Sequence, residues 1–259
     1  MAQKYYVIWQ GHQTGIFTDW TTCKRHIDGY PGARYKSYKT RLEAEQAFAA
    51  GAGPSLGKAR AEAAAKKKRP AGANALKTWT TADIDALDVD VKIFTDGGCE
   101  PNPGQAGSGL AVYRGGLLTE LYSGLYEPRG TNNTAELNAL HHALQLAADE
   151  VAAGRTVAVF ADSSYAIQCV TKWAFGWEKK GWRKQGGEIA NLNLIQPMFA
   201  LYKRLGKKVQ VLHVNGHVGV EGNELADRMS IHAIDKRVRG LEPFPVPDEP
   251  ADVLKMRKG

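Results

Sequence analysis

The 259-residue sequence contains three cysteines and no long hydrophobic run. Cys23, Cys99 and Cys169 are widely spaced and include no CxxC pair, which argues against a disulfide framework and a cysteine-ligated zinc site. No apolar stretch approaches the roughly 20 residues that a membrane-spanning helix needs, and polar residues follow the start too early for a signal peptide. We therefore expect a protein of a reducing cytoplasm that is neither exported nor embedded in a membrane.

Acidic residues are outnumbered in the first third of the chain. Residues 1–50 carry seven Lys or Arg against four Asp or Glu, residues 51–89 carry the same numbers, and residues 90–259 are nearly balanced, with twenty against nineteen. The net charge of +7 indicates a polyanionic partner, and its distribution assigns much of that contact to the N-terminal part. The nearly balanced charge of residues 90–259 is compatible with an acidic cleft in a protein that must also bind phosphates.

The composition divides the chain into four regions. Residues 1–50 combine aromatic β-like runs with helical spacing, which predicts a small α+β domain. Residues 51–88 are rich in Ala, Gly, Lys and Pro and predict a flexible linker, in which the KKKR run at 66–69 is part of a solvated tether, a nuclear-import signal or a polyphosphate contact. Residues 89–238 form the largest region. Residues 239–259 are rich in Pro and charge, which predicts disorder.

The pattern within residues 89–238 predicts a mixed sheet. VKIFTDGG, SGLAVYRGG and LLTELYSGLY read as antiparallel strands joined by Gly-rich turns. TAELNALHHALQLAADE then has the apolar spacing of a helix, TVAVFADS is an apolar strand, and helices alternate with VQVLHV after it. We therefore predict an α/β fold with a five-stranded mixed sheet flanked by helices.

Four acidic residues lie at the ends of these predicted elements. Asp96 ends the first strand, Asp162 ends the fourth, Glu136 lies near the start of the first helix, and Asp227 lies on the last helix. Taken singly, each could instead cap a helix, interact with a helix dipole or be an exposed charge. Together they would repel one another without metal, whereas carboxylate oxygens are the ligands that Mg²⁺ prefers. Two Mg²⁺ ions, for which Mn²⁺ could substitute, would support hydrolysis of a phosphodiester.

The segments around these acids resemble one family. TDGGCEPNPGQAGSG, TNNTAEL, ADSSYAI and GHVGVEGNELAD occur in an order and spacing that resemble ribonuclease H type 1 over residues 90–235. The resemblance implies the ribonuclease H-like fold and a two-metal site formed by the four acids. It also implies that His217, in a Gly-flanked loop, is a catalytic residue that moves protons or helps the product to leave.

Other residues are candidates for binding nucleic acid. The segment from Lys172 to Lys184 interleaves Trp with Lys and Arg, which suits stacking and phosphate contacts, although a helix end with buried Trp would have the same composition. The resemblance implies that this segment, the grip, binds the DNA strand. It also implies a pocket for a DNA phosphate and a set of contacts in the shallow groove of the hybrid. The residues so assigned are Trp173, Trp177, Lys179, Lys180 and Trp182 in the grip, Arg129, Thr131 and Asn191 in the pocket, and Asn102, Asn132 and Asn133 in the groove.

The first region is similar to the hybrid-binding domain that accompanies many such enzymes. Trp20 and Tyr35 match its aromatic contacts, and Arg34 and Lys36 match basic ones, while Ser37 stands where that pattern usually continues with Lys. The alternative is that Trp20 and Tyr35 fill a very small core.

The resemblance implies a monomeric endoribonuclease that cleaves the RNA strand of RNA/DNA hybrids and leaves 5′-phosphate and 3′-OH ends. A bacterial cytoplasm is the expected location, and a nucleus or mitochondrion is the alternative for a eukaryotic protein. Two other functions stay open at this point. The first is a catalytically inactive nucleic-acid-binding protein of the same fold, and the second is a DNA-directed nuclease of that fold.

Overall fold

The computed structural model describes residues 4–28, 30, 33–38, 40–49, 76–184, 186–216 and 219–259. The chain divides into two compact units, of which the first ends at Ala75 and the second runs from Leu76 to Gly259. The predicted linker up to residue 75, including the KKKR run, lies outside the described residues, and so does the predicted catalytic residue His217. In the described part of the chain, no helix has the length and apolar character that a membrane crossing requires.

The first unit is a small α+β domain, as predicted. Its sheet is antiparallel in the order β2-β1-β3, and Ile8, Cys23 and Ile27 form a buried cluster beneath it. Its elements are β1 (Tyr5–Gln10), β2 (Gly15–Phe17), α1 (Trp20–Arg25), β3 (Arg34–Tyr38) and α2 (Arg41–Ala49).

The second unit is built on a mixed sheet. Its strands are β4 (Thr78–Trp79), β5 (Val91–Glu100), β6 (Gly104–Arg114), β7 (Leu117–Gly130), β8 (Val157–Ala161), β9 (Val209–Val214) and β10 (Leu241–Phe244). Its helices are α3 (Thr81–Asp85), α4 (Asn132–Ala152), α5 (Ser164–Gln168), α6 (Ala174–Lys179), α7 (Leu192–Leu205), α8 (Glu221–Lys236) and α9 (Pro250–Leu254). A π-helical turn, Cys169–Trp173, joins α5 to α6, and a 3-10 turn, Gly206–Lys208, precedes β9.

The strand order of the second unit is β10-β7-β6-β5-β8-β9-β4. The strands from β10 to β5 pair antiparallel, and β8, β9 and β4 continue the sheet from β5 in parallel. The five predicted strands are β5 to β9, at the centre of the sheet. The predicted α/β class is therefore confirmed, whereas the sheet has seven strands instead of five.

Helices cover both faces of this sheet because neighbouring strand residues point to opposite sides. Ile93 of β5 belongs to a buried cluster with Leu140 of α4 and Phe199 of α7. The next residue, Phe94, belongs to a second cluster with Met229 of α8, on the other face. The central strands are thus apolar on both sides, as expected of strands that helices cover on both faces.

Both extra strands come from segments that the composition predicts to be unstructured. The predicted disorder of residues 239–259 is wrong: β10 pairs with β7, and α9 buries Val253 against the core. The predicted linker ends too late, because residues 78–85 form β4 and α3, where Ile84 is buried and Thr80 caps the helix. Each segment contributes a few widely spaced apolar side chains to the core, such as Trp79 and Ile84 in one and Phe244 and Val253 in the other, and this spacing does not form a periodic pattern.

An ion-pair cluster around the buried Glu150 fastens the end of α4 to the end of β6. Glu150, whose side chain is 7% exposed, accepts hydrogen bonds from Arg114 Nη2 at 2.6 Å and from Arg155. Burial opposes ionisation of this carboxyl, but the hydrogen bonds from Arg155 and Arg114 hold the pKa of Glu150 below its usual value. A carboxyl with a lowered pKa stabilises the folded state above its unfolded-state pKa and loses that contribution as the pH falls through the folded-state pKa.

We expect Glu150→Gln to lower the free energy of unfolding at pH 7 by roughly 2 kcal/mol, because two guanidinium groups lose a charged partner. Urea unfolding at pH 7 and at pH 3.5 measures the effect, which should shrink at the lower pH as the wild-type carboxyl becomes protonated. Glu178→Gln is the matched control, since its pair with Lys203 is about 40% exposed and should change stability by less than about 0.5 kcal/mol. An equal loss at both pH values would contradict this account.

Candidate active site

The four predicted acids converge on one end of the sheet. Asp96 lies within β5, Asp162 follows β8 directly, Glu136 lies one turn into α4, and Asp227 lies in the middle of α8. All four line a single cavity of about 270 Å³. Asp96 was predicted to end its strand, but β5 continues to Glu100; the parallel pairing with β8 stops at Thr95 opposite Ala161, which places Asp96 beside Asp162 where β8 ends.

A glycine permits the close approach of α4 to β5. A Cβ atom on Gly97 would lie 2.3 Å from the backbone nitrogen of Glu136, a distance that real structures do not allow. The residue after Asp96 must therefore be Gly if Glu136 is to lie beside it. One carboxylate oxygen from each of Asp96, Glu136 and Asp162 lies within 4.8 Å of the other two.

The electrostatics of this cluster disfavour three negative charges. Burial, and then the charges of Asp162 and Asp227, raise the pKa of Asp96 to about 8. Burial, and then the charges of Asp96 and Asp162, raise the pKa of Glu136 well above its usual value. A cation among these oxygens would remove the repulsion and allow all of them to ionise.

The cluster has the properties of a divalent-metal site. The buried oxygen Oε2 of Glu136 has no hydrogen-bond partner among the described residues, which leaves it available as a metal ligand. Hard carboxylate oxygens in a polar cavity are the donor set of Mg²⁺ or Mn²⁺, whereas Zn²⁺ prefers nitrogen and sulfur. Asp96, Glu136 and Asp162 are thus able to hold a divalent cation.

Asp227 stands slightly apart from the other three acids. Its carboxylate accepts hydrogen bonds from the guanidinium of Arg228 and, at 3.1 Å, from the backbone N–H of Gly259. The hydroxyl of Ser230, one turn further along α8, donates to the backbone carbonyl of Asp227 at 2.8 Å and also lies 3.4 Å from Oδ2 of Asp96. Asp227 therefore borders the cavity without joining the group of oxygens that lie within 4.8 Å of one another.

Two of the three asparagines predicted for the shallow groove meet at this cavity. Asn132 lines it, and its backbone N–H donates to Oδ1 of Asn102 at 3.3 Å. Asn133 is exposed on the first turn of α4. Thr131 caps the same helix by accepting a hydrogen bond from the N–H of Thr134, so its hydroxyl oxygen already has a structural role. Thr131 as a phosphate contact therefore stays a prediction.

The other two predicted pocket residues lie on separate elements. Arg129 is exposed near the end of β7, and Asn191 precedes α7 with a left-handed backbone (φ 58°). The side-chain nitrogen of Asn191 donates to the hydroxyl of Tyr165 at 3.2 Å, which holds its amide in place. Both remain candidates for a phosphate contact.

The Trp-rich segment forms a basic groove. Trp173 and Trp177 line it with their ring centroids 5.9 Å apart, and Lys180 lines it too. Three further basic residues that were not predicted individually, Lys172, Arg183 and Lys184, complete its lining. Trp182 packs against Phe199 of the core and Lys179 is exposed, and neither residue lines the groove.

Both units match known protein families. The RNase H family model matches residues 88–235, and the model of the Ribonuclease H1 N-terminal domain matches residues 4–48. The chain belongs to the ribonuclease H family. Ribonuclease H1 of Rattus norvegicus is 30% identical to it over 255 residues, which cover 87% of each chain. Ribonuclease H of Methylorubrum extorquens is 35% identical over 166 residues, covering 62% of this chain and 69% of the relative.

A solved structure supports the ribonuclease H fold. The foamy viral protease-reverse transcriptase in complex with an RNA/DNA hybrid aligns with 66% of this chain and 24% of its own length, with a TM-score of 0.51 and 17% identity. At that identity the likeness concerns the fold alone. Family membership makes the protein a ribonuclease H enzyme, and the N-terminal match explains why a second unit accompanies the catalytic one.

The Ribonuclease H1 N-terminal domain presents an aromatic pair on its surface. Trp20 of α1 and Tyr35 of β3 are each 43% exposed, with ring centroids 5.9 Å apart, so they do not fill the core of the unit. Arg34 and Lys36 are exposed on the same strand. Successive side chains of a strand point to opposite faces, so Lys36 and Tyr35 lie on different faces of β3. The Nζ atom of Lys36 lies over the ring of Tyr38, 5.3 Å from the centroid.

Sequence reasoning missed two residues that surround a metal-ligand candidate. Asn223, which is 2% exposed, donates from Nδ2 to Oδ2 of Asp162 at 3.3 Å. His213 of β9 contacts the backbone carbonyl of the same aspartate at 3.1 Å. Asn223 lies in the segment GNELAD, one helical turn before Asp227, and this spacing was the available signal. The contact of His213 depends on the pairing of β9 with β8, which the sequence alone does not reveal.

Proposed function

We propose that the protein hydrolyses the RNA strand of RNA/DNA hybrids with two Mg²⁺ ions, for which Mn²⁺ can substitute. The observation that carries the proposal is the buried group of Asp96, Glu136 and Asp162, with an unpartnered Glu136 oxygen, in the catalytic unit of a ribonuclease H. Asp227 completes the ligand set from the wall of the same cavity.

The bound ions would activate a water molecule and stabilise the leaving 3′-oxygen of the RNA, which leaves 5′-phosphate and 3′-OH ends. The chain supplies the rest of the site. Gly97 keeps Glu136 beside Asp96, Ser230 lies next to the Asp96 carboxylate, and Asn223 donates a hydrogen bond to that of Asp162. His217 is proposed to move protons at the site or to help the product leave.

Strand selection is proposed to come from the surfaces beside the cavity. The RNA strand would be read through its 2′-hydroxyls by Asn102, Asn132 and Asn133, of which Asn132 lines the cavity of the acids. The DNA strand would bind through its phosphates at Arg129, Thr131 and Asn191, whose guanidinium, hydroxyl and amide are phosphate donors. The groove lined by Trp173, Trp177 and Lys180 would bind the DNA strand further along by stacking and charge.

The N-terminal unit is proposed to bind the same hybrid. The exposed Trp20–Tyr35 pair is suited to stacking on sugars or bases, and Arg34 and Lys36 add positive charge. If the predicted linker runs from residue 51 to the start of β4, a flexible tether of about 27 residues would span on the order of 30 Å, so binding by one unit would raise the effective concentration of substrate at the other. We propose that the protein acts as a monomer in the cytoplasm.

A set of strand-labelled duplexes tests the proposed substrate. With Mg²⁺, we expect the RNA strand of an RNA/DNA hybrid to be cleaved, with RNA/RNA and DNA/DNA duplexes of the same sequence cleaved at least roughly 100-fold more slowly, which corresponds to about 2.7 kcal/mol of discrimination. Comparable cutting of the DNA duplex would establish a DNA-directed nuclease instead. Binding of the hybrid without cleavage would establish an inactive binding protein.

A further inference from the structure

The edge strand β4 lies near the proposed metal site. It pairs in parallel with β9, with Thr78 opposite His213 and Trp79 opposite Val214. On its other side, β9 pairs with β8, where His213 lies opposite Ala161, the residue before Asp162. A two-residue strand therefore lies one strand away from a metal-ligand candidate.

A chain of hydrogen bonds crosses these strands. His213 Nε2 lies 3.1 Å from the backbone oxygen of Asp162, and His213 Nδ1 lies 3.0 Å from the hydroxyl oxygen of Thr78. A carbonyl oxygen only accepts hydrogen bonds, so Nε2 must carry the proton. In the neutral imidazole, Nδ1 is then an acceptor and receives the hydrogen bond of the Thr78 hydroxyl. Thr78 thus fixes the tautomer and the ring orientation that His213 needs to hold Asp162.

Asp162 depends on such support because it lies just beyond the last residue of β8. Asn223 holds its carboxylate, and Gly216 packs so closely that a Cβ atom there would lie 2.4 Å from Oδ2 of Asp162. His213 acts on the opposite side of the residue, at its backbone carbonyl. Together these contacts define where the Asp162 carboxylate can lie.

The strand β4 is itself well anchored. Trp79 packs edge-on against Phe160 of β8 with ring centroids 6.5 Å apart, and Lys77 Nζ lies 4.1 Å from the centroid of the Trp79 ring. α3 follows directly, and its Ile84 is buried in the core of the unit. Trp79 and α3 thus pack β4 against the core of the unit.

We propose that Thr78 and His213 are positioning residues that hold Asp162 in its metal-binding geometry, so that the edge strand β4 is part of the active-site support. The proposal rests on the proposed metal-dependent function. Groups that orient metal ligands typically change metal affinity or activity by roughly 10- to 100-fold when removed, because small displacements of a ligand weaken the site.

The test uses Thr78→Val in the full chain, which keeps the shape and the β propensity of the side chain and removes the hydroxyl. Isothermal titration calorimetry with MgCl₂ and no substrate should show a Mg²⁺ Kd raised about 10-fold, and kcat on the hybrid should fall about 10-fold at an unchanged KM. Thr78→Ser should restore both values. Thr119→Val, which removes hydroxyl contacts to Val112 and Arg114, is the matched control and should leave both unchanged.

A double-mutant cycle separates positioning from a general loss of stability. Because Thr78 acts through the imidazole, Thr78→Val should add nothing to the loss that His213→Phe causes alone. Additive losses, or a Thr78→Val protein with the wild-type Mg²⁺ Kd and kcat, would overturn the proposal. Cleavage of the hybrid by the wild-type protein tests the proposed function independently, so failure of one can be told from failure of the other.

Discussion

Asp96→Asn should abolish cleavage of an RNA/DNA hybrid and at the same time make the metal-free protein more stable. The amide removes the charge that a divalent ion requires, and we expect kcat to fall by at least roughly 1000-fold, about 4 kcal/mol in activation free energy. The same change removes a carboxyl whose ionisation is disfavoured by burial and by the charges of Asp162 and Asp227. We expect the free energy of unfolding at pH 7.5 without metal to rise by about 1 to 2 kcal/mol.

The pH dependence of this gain follows from the pKa of Asp96, which is raised to about 8 in the folded protein, whereas an unfolded aspartate titrates near 3.9. Between these values the folded protein retains a proton that the unfolded chain releases, so wild-type stability falls as the pH rises. The advantage of Asp96→Asn should therefore be small at pH 4 and grow towards pH 8. Denaturant unfolding in EDTA measures it. Asp235→Asn is the control, because this exposed carboxylate pairs with Arg257 and not with other acids.

The outcome discriminates between a metal-binding and a structural role of the acidic cluster. A metal site predicts loss of cleavage with a gain of stability, because the carboxylates repel one another in the metal-free protein and are retained only for their function. If Asp96→Asn destabilised the metal-free protein as much as it lowered activity, the carboxylate would be a structural group and the assignment of the site would be incorrect.

Replacing both Trp20 and Tyr35 by Ala should weaken binding of the hybrid without slowing catalysis at saturating substrate. Each stacked base is worth roughly 1 to 3 kcal/mol, so loss of both rings should raise the Kd of the hybrid by about 30-fold or more. Both side chains are 43% exposed, and their removal leaves the buried cluster of Ile8, Cys23 and Ile27 intact. Binding is measured by fluorescence anisotropy, and KM and kcat by steady-state cleavage.

Phe48→Ala is the matched control for this pair. Phe48 lies on α2 of the same unit and is 39% exposed, so it tests the loss of an exposed aromatic ring outside the proposed surface. We expect its Kd to stay within about 2-fold of wild type. A fall in kcat at saturating hybrid for the Trp20/Tyr35 variant would contradict a purely binding role for the N-terminal unit.

Much of the catalytic unit follows from patterns that are local in the sequence. The apolar residues of α4, Leu137, Leu140, Leu144 and Ala147, are all fully buried, as their helical spacing predicts. The five central strands were identifiable because their residues face a core on both sides or alternate between core and solvent. The acids were identifiable because each interrupts or follows such an apolar segment.

The remaining features depend on contacts between distant segments. Thr78 contacts a histidine 135 positions away, and β10 exists because β7 offers it an unpaired edge. The separation of Asp227 from the other acids depends on Arg228 and on Gly259, at the far end of a segment whose composition predicts disorder. Residue spacing alone carries no information on such pairings, so neither the extra strands nor the support of Asp162 could be predicted.

The most direct test of the central claim is the chemistry of the cleaved ends as a function of metal. A hybrid with labelled RNA is incubated with protein freed of metal by EDTA, before and after addition of Mg²⁺, and the RNA ends are identified by mass spectrometry. A site of carboxylates that activates water through bound ions predicts no cleavage before Mg²⁺, and 5′-phosphate and 3′-OH ends after it. Cleavage in EDTA, or 2′,3′-cyclic phosphate ends produced by attack of the 2′-hydroxyl, would contradict it.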